Sequence, residues 1–177
     1  RVNQAQSSAQ TNFFIRGYGN GGNNPGIEPA VSVYIDGVPR TRSASSLADL
    51  PNVASIEVLS GPQSTLFGKN ASAGVINVTT MLPEDELGGS IEATAGNYGS
   101  RIVKGTITGP ISENLSYRLS ASDNSNDGYG TNITTGSGVN SRDRNAFRGQ
   151  LLFEPADDLT VRFIADYNKI DEDCCSA

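Results

Sequence analysis

Histidine is absent from this chain, and so is tryptophan. Without an imidazole, acid–base chemistry near neutral pH would rest on carboxylates alone, and no serine elbow or internal cysteine offers a nucleophile. No carboxylate pair stands in a catalytic motif, so the sequence reads as non-enzymatic. The only cysteines, Cys174 and Cys175, are adjacent and close to the C-terminal end. Two neighbouring thiols without further ligands make a poor metal site, so their partners are expected beyond the chain, in an oxidising compartment. No apolar run reaches the ~18 residues of a membrane-spanning helix, an absence that is silent about a β-barrel, whose strands alternate. Positive charge is scarce too: 13 Lys and Arg against 19 Asp and Glu leave a formal charge of −6, which argues against a nucleic-acid partner.

What the chain does have is turn chemistry and alternation. Glycine, serine, asparagine and threonine are plentiful, a mix that suits turn-rich β structure. The organising stretch runs from Ile56 to Thr80. Ile56 and Val58 alternate with Glu57 and Leu59, which predicts a strand. Gly61-Pro62 breaks it, Pro62 suits the first position of a short helical turn, and Gly68 suits its stop. Val75 to Thr79 is β-branched enough to return as a second, paired strand. Upstream, Thr11 to Arg16 predicts a short strand, followed by a glycine-rich loop from Tyr18 to Gly26. Pro29 to Val38 predicts a strand with Val31, Val33 and Ile35 on one face and a tight turn at Asp36-Gly37. A polar loop follows from Arg40 to Ser46, then one helical turn from Leu47 to Pro51. The Gly61–Asn70 segment fails as a phosphate loop, because glycine is missing at 63 and Asn70 replaces the Ser/Thr that would hold magnesium.

After the charged linker Leu82-Pro83-Glu-Asp-Glu86 the strands lengthen to about nine or ten residues, the reach of tilted membrane strands. Five stripes are predicted: Ile91, Ala93, Ala95; Val103, Gly105, Ile107; Leu115, Tyr117, Leu119, Ala121; Phe147, Leu151, Phe153; and Leu159, Val161, Phe163, Ala165, Tyr167. Charged residues such as Lys104, Arg118, Arg148 and Arg162 fall on the opposite stripe. A soluble sandwich would alternate in the same way with its apolar face inward. A barrel wall is favoured because tight connections (109–114 and 154–158) alternate with a long polar one (123–143), because Tyr98, Phe153 and Tyr167 sit near strand ends, and because the polar stripe carries full charges. Asp123, Ser125, Asp127 and Gly128 imitate a calcium loop, but its twelfth position would be Thr134 rather than glutamate. Four Asn-x-Ser/Thr matches, at Asn70, Asn77, Asn114 and Asn132, would matter only in a eukaryotic secreted protein.

Three motifs in order carry a family resemblance: Ile15-Arg-Gly17, then Val33-Tyr-Ile-Asp-Gly-Val-Pro39, then Ile56-Glu-Val-Leu-Ser-Gly-Pro-Gln-Ser-Thr-Leu-Phe-Gly68 with Gly74-Val-Ile-Asn-Val78. Together they resemble the plug domain of TonB-dependent outer-membrane receptors, which usually reads I-E-V-L-R-G-P-x-S-x-L-Y-G and then G-x-I-N-V-x-T. The resemblance implies a mainly β fragment of a plugged transmembrane antiparallel barrel of about 22 strands, with a small α+β plug at 1–83 and about five wall strands at 84–177. The polar N-terminus has no apolar signal region, and truncation is expected, since the family's plug has earlier strand and a TonB-contacting segment. It further implies an outer-membrane location in a Gram-negative bacterium, lipid and TonB as partners, and no cofactor. The implied activity is active uptake of a ligand, foremost a ferric siderophore; haem, cobalamin or a saccharide are alternatives, and a soluble carbohydrate-binding or adhesion module is the alternative of another class. By position, the ligand-contacting plug loops would contribute Tyr18, Gly19, Asn20, Asn23 and Asn24, and Arg40, Thr41, Arg42 and Ser43. Their amides, phenol and guanidiniums suit an anionic, oxygen-rich ligand. Arg16 matches an arginine that holds the family's plug to barrel carboxylates, with Glu57 as a local partner inside the plug. Ser60 stands where a second such arginine is expected.

Overall fold

A computed structural model describes residues 2–4, 11–19, 28–40, 52–134, 136 and 138–173. The chain divides into two compact units, Arg1–Ala48 with Val53–Thr80, and Asp49–Asn52 with Met81–Ala177. The predicted helical turn at 47–51 and both cysteines lie outside the described residues.

In the first unit, strands β1 (Val2–Gln4) and β2 (Thr11–Phe13) pair antiparallel. The main sheet is built from β3 (Val31–Ile35), β4 (Val38–Arg40), β5 (Val53–Ser60) and β6 (Gly74–Thr80), in the order β4-β3-β6-β5. β3 and β6 run parallel while the two outer pairings are antiparallel. The two central strands bury Val31, Val33, Ile35, Val75 and Val78, each worth ~1.5–3 kcal/mol when removed from water. Ile15 packs with Val31 and Ala73 in the same core. Asp36-Gly37 forms the predicted turn, with both residues at positive φ (50° and 78°) and Ile35 facing Val38, as a two-residue I′ hairpin requires. The Asp36 carboxylate accepts from the Thr80 backbone N–H and hydroxyl, both at 2.9 Å, tying this turn to the end of β6.

The helical turn α1 spans Ser64–Phe67, with Gln63 as its cap and Gly68 stopping it at φ 71°. Pro62 therefore lies one residue before the cap rather than at the first helical position. The reason is local: the Gln63 N–H donates to the Ala71 carbonyl at 2.9 Å, a bond that proline could not make at the cap. Across β3, Tyr34 donates its hydroxyl to the Phe67 carbonyl and stacks edge-on against the Phe67 ring at 5.0 Å.

The second unit is one antiparallel five-stranded sheet of β7 (Gly88–Ala95), β8 (Arg101–Ser112), β9 (Leu115–Asn126), β12 (Arg142–Ala156) and β13 (Leu159–Asp171). Between β9 and β12 a small ladder pairs β10 (Gly130–Thr131) with β11 (Gly138–Val139). The tight turns shrink to the two residues Glu113-Asn114 and Asp157-Asp158 between strands. The connection expected at 123–143 is shorter than predicted, because the ladder continues past the apolar stripe: Asp123 to Asn126 still pair with Asn145 to Arg142. The strands likewise exceed the nine or ten residues expected, reaching 12, 12, 15 and 13 in β8, β9, β12 and β13. The sheet stays open, with β7 and β13 as its edges.

Register puts the apolar stripes in continuous rows. Leu115, Phe153 and Val161 face one another; so do Tyr117, Leu151 and Phe163; so do Ala121, Phe147 and Tyr167. This face is the open one: Leu119 is 40% exposed, Val161 49% and Phe163 63%. The opposite face buries Thr108, Ser116, Arg118, Ser120, Ser122, Arg148 and Gln150. The sheet is inside out by the standard of a water-soluble fold, where a contiguous apolar patch of this kind is rare. Two same-face positions beyond Leu119 the row across β9, β12 and β13 turns polar, at Asp123, Asn145 and Lys169.

Candidate functional site

The site predicted at the plug loops begins with a turn. The Ile15 and Tyr18 backbones exchange both hydrogen bonds at 2.9 Å, enclosing Arg16 (φ 52°) and Gly17 (φ 85°). Ile15-Arg-Gly-Tyr18 is thus a second I′-type turn, where the sequence suggested only the end of a strand. A non-glycine residue at positive φ carries conformational cost, and here it turns the Arg16 guanidinium outward into solvent. Ile15 is the buried anchor beneath it. It reaches Gly74, where a Cβ would lie 2.4 Å from the Leu59 carbonyl oxygen and 2.6 Å from the Ile15 side chain. Only glycine admits that convergence, which explains the Gly74 that opens β6.

Around the turn lies an open cavity of about 520 Å³, lined among others by Ile15, Arg16, Tyr18, Gly19, Pro62 and Ala73. Its floor is apolar, and a guanidinium and a phenol stand at its rim, with Tyr18 73% exposed. That pairing can hold an anionic ligand with apolar flanks. Gly19 has a packing role: a Cβ there would sit 2.3 Å from the Phe13 carbonyl oxygen. Arg40 lies across from Val33, on the strand that leaves the Asp36-Gly37 hairpin toward the end at which β3 begins. Tyr18, Gly19 and Arg40 are the predicted loop residues within the described structure; Asn20, Asn23, Asn24, Thr41, Arg42 and Ser43 lie outside it.

The expected Arg16–Glu57 pair does not form. Glu57 sits directly across the β5–β6 ladder from Asn77, and its carboxylate accepts from the Asn77 amide at 3.0 Å. β5 is the sheet edge and bonds only β6 within this sheet, so Asn77 is the nearer polar group. Elsewhere in this unit, Lys69 donates to Glu28 at 2.5 Å; that hydrogen bond, with the lysine's charge, holds the exposed Glu28 carboxyl below its ordinary range.

A second polar cluster lies on the buried face of the five-stranded sheet, where the sequence puts Arg118, Arg148 and Arg162 on the polar stripe without assigning their partners. Arg118, with 5% of its side chain exposed, bonds Glu84 at 2.6 Å and donates to the Leu82 carbonyl at 2.9 Å. Arg148 pairs with Asp166 at 2.6 Å, and Arg162 donates to the Gln150 amide oxygen at 2.6 Å. Buried ions require such partners. The available signal was the recurrence of arginine and glutamine on the polar stripe of successive strands. Among the described residues no group of three or more acidic or cysteine side chains is placed to hold a metal ion.

A small mixed sheet, followed by a sheet whose apolar face is outermost and whose charged face is buried, defines the class: a plug with part of an outer-membrane-type β-barrel wall. Residues 1–75 match the family model of the TonB-dependent Receptor Plug Domain. The chain belongs to the TonB-dependent receptors and covers their plug region. It is 42% identical over 89 residues, half of its length, to the pesticin receptor of Yersinia pestis. It is 31% identical over 144 residues, 73% of its length, to the ferric enterobactin receptor PirA of Pseudomonas aeruginosa. The crystal structure of the ferric yersiniabactin uptake receptor FyuA from Yersinia pestis superposes on 93% of the chain with a TM-score of 0.84 and 29% identity. The chain spans 13% of the first of these proteins, 19% of the second and 26% of the third.

Proposed function

We propose that this chain is part of an outer-membrane receptor of a Gram-negative bacterium that takes up a ferric siderophore by TonB-driven rearrangement of its plug. The observation that carries the reading is the inverted burial of the five-stranded sheet, with Leu119, Val161 and Phe163 outward and Arg118, Ser120 and Arg148 inward. An exposed apolar band of this kind is stable against lipid and costly in water. Siderophore receptors among the relatives, for enterobactin and ferrioxamine, support the ligand class. Tyr18, Arg16 and Arg40 supply the phenol and guanidiniums that an anionic iron chelate would meet. In the whole receptor Arg16 is free to meet a wall carboxylate, since Glu57 is occupied by Asn77. Catalysis has no part in this reading: binding and gated passage are the whole activity.

The test is binding of ferric siderophores to the full-length receptor, coupled to iron-limited growth of a deletion strain. Saturable binding and an iron-growth defect are expected. Growth on a saccharide that depends on the receptor, without an iron phenotype, would overturn the ligand class. The soluble-module reading predicts instead that residues 88–170 stay monodisperse in plain buffer.

A further inference from the structure

The stretch joining β6 to β7 reads as a charged linker in sequence, yet its first part has its backbone caught residue by residue. The Met81 N–H donates to the Asn52 carbonyl at 2.9 Å, and the Met81 carbonyl accepts from Gln150 at 3.3 Å. The Leu82 carbonyl accepts from Arg118 at 2.9 Å. Pro83 has no N–H to satisfy, and the Glu84 N–H donates to the Thr108 hydroxyl at 2.9 Å. The Glu84 side chain closes on Arg118 at 2.6 Å. Asn52, at φ 60°, adds its own side chain, donating to the Thr106 hydroxyl and, at 3.1 Å, to Ser120. Thr106 and Ser120 also bond each other at 3.2 Å. Asn52 lies within the plug-family match, yet it clusters with the five-stranded sheet, while its neighbours Val53 and Thr80 pair in the mixed sheet.

We infer that Asn52 and residues 81–84 form a fixed anchor on the wall strands β8, β9 and β12, held by Arg118, Thr106, Ser120 and Gln150, and that the plug rearranges from Val53 and Thr80 onward while this anchor stays in place. The inference rests on the transport reading for its purpose, but its physical content is independent of any ligand. Arg118 is a positioning residue in this scheme: its guanidinium fixes Leu82 and Glu84, and through them the chain entering β7. A strap secured through carbonyls and hydroxyls of a wall sheet should open with that sheet, because local opening follows cooperative units.

Hydrogen exchange on the full-length receptor in detergent, across a urea series, tests this directly. The Met81 and Glu84 amides are expected to keep their protection at urea concentrations where Val75 and Val78 have lost theirs, and to follow β8 and β9 instead. In Arg118→Gln their exchange should quicken at least tenfold while β3 and β6 exchange as before. Loss of protection at Met81 and Glu84 together with β6 would overturn the anchor. A second arm bridges Asn52→Cys and Ser120→Cys with a reducible bis-thiosulfonate and measures uptake of ferric enterobactin, ferrioxamine B and ferric yersiniabactin. Uptake unchanged by the bridge supports the anchor; uptake lost on bridging and recovered on reduction refutes it. If the unbridged receptor transports none of the three, the siderophore reading has failed, and the exchange data still decide the anchor.

Discussion

The mixed four-stranded sheet and the five-stranded sheet are written in the same period-two code and solve opposite problems. In the first, Val33, Ile35 and Val75 turn inward and are nearly inaccessible. In the second, Leu119, Phe147 and Phe163 turn outward, and Ser120, Arg148 and Gln150 take the buried positions. Alternation therefore specifies which residues share a face, but not which face meets water. That choice is made by the other stripe. Full charges recur on the polar side of β9, β12 and β13, and they find partners there in Glu84, Asp166 and Gln150.

Substitutions at four places should separate the two sheets and their turns. The largest effect is expected from Ile35→Ala in the mixed sheet, at ~2–5 kcal/mol, the cost of a cavity in a packed core. Urea unfolding of the full receptor, followed by exchange at β3 and β6, measures it, and Ile56→Ala on the exposed face of β5 should change stability by less than ~0.5 kcal/mol. Leu119→Arg should cost ~2–4 kcal/mol in a bilayer, as for a cation placed on a lipid face. The check is folding equilibrium in vesicles. On an ordinary wetted surface the same change would be near neutral. Asp36→Ala removes the acceptor for the Thr80 amide and hydroxyl and should cost ~2–3 kcal/mol, with Asp36→Asn recovering part of it because one acceptor oxygen remains. Differential scanning of the three proteins measures the series.

The smallest effect belongs to Glu28. Its carboxyl is held low chiefly by the hydrogen bond from Lys69, so the contribution is present above the unfolded carboxylate range and is lost as pH falls through the lower folded value. Both partners are largely open to solvent, with 72% of the Lys69 side chain and 55% of the Glu28 side chain exposed, which leaves little stability at stake. Carboxyl NMR titration should show Glu28 returning upward to its ordinary value in Lys69→Ala, with unfolding scarcely altered.

Much of this architecture was legible in the residues. Asp36-Gly37 between apolar alternations specified its turn, and the five stripes specified the rows that register later brought face to face. The limits of the ladders were not legible. β9 runs to Asn126 and β12 starts at Arg142 because backbone pairing persists where the apolar stripe has already given way to charge. Arg16-Gly17 read as a strand end, since arginine carries no turn signal and its positive φ is imposed by the Ile15–Tyr18 bonding. The strap at 81–84 read as a linker because, apart from the Glu84 carboxylate, its bonds run through its own carbonyls and amides, which leave no mark on side-chain pattern. Of the expected site residues, Tyr18 and Arg40 follow the I-R-G and I-D-G motifs in sequence, while register pairs Glu57 with Asn77 instead of Arg16.

The central claim is that the outward stripe of the five-stranded sheet meets hydrocarbon. Spin labels placed singly at 117, 118, 119, 161, 162 and 163 of the full-length receptor in lipid vesicles test it most directly, by collision with oxygen and with a water-soluble nickel chelate. High oxygen and low nickel accessibility are expected at 117, 119, 161 and 163, with 118 and 162 shielded from oxygen. Labels at 119 and 163 that are shielded from both reagents, or that meet nickel as readily as oxygen, would contradict it.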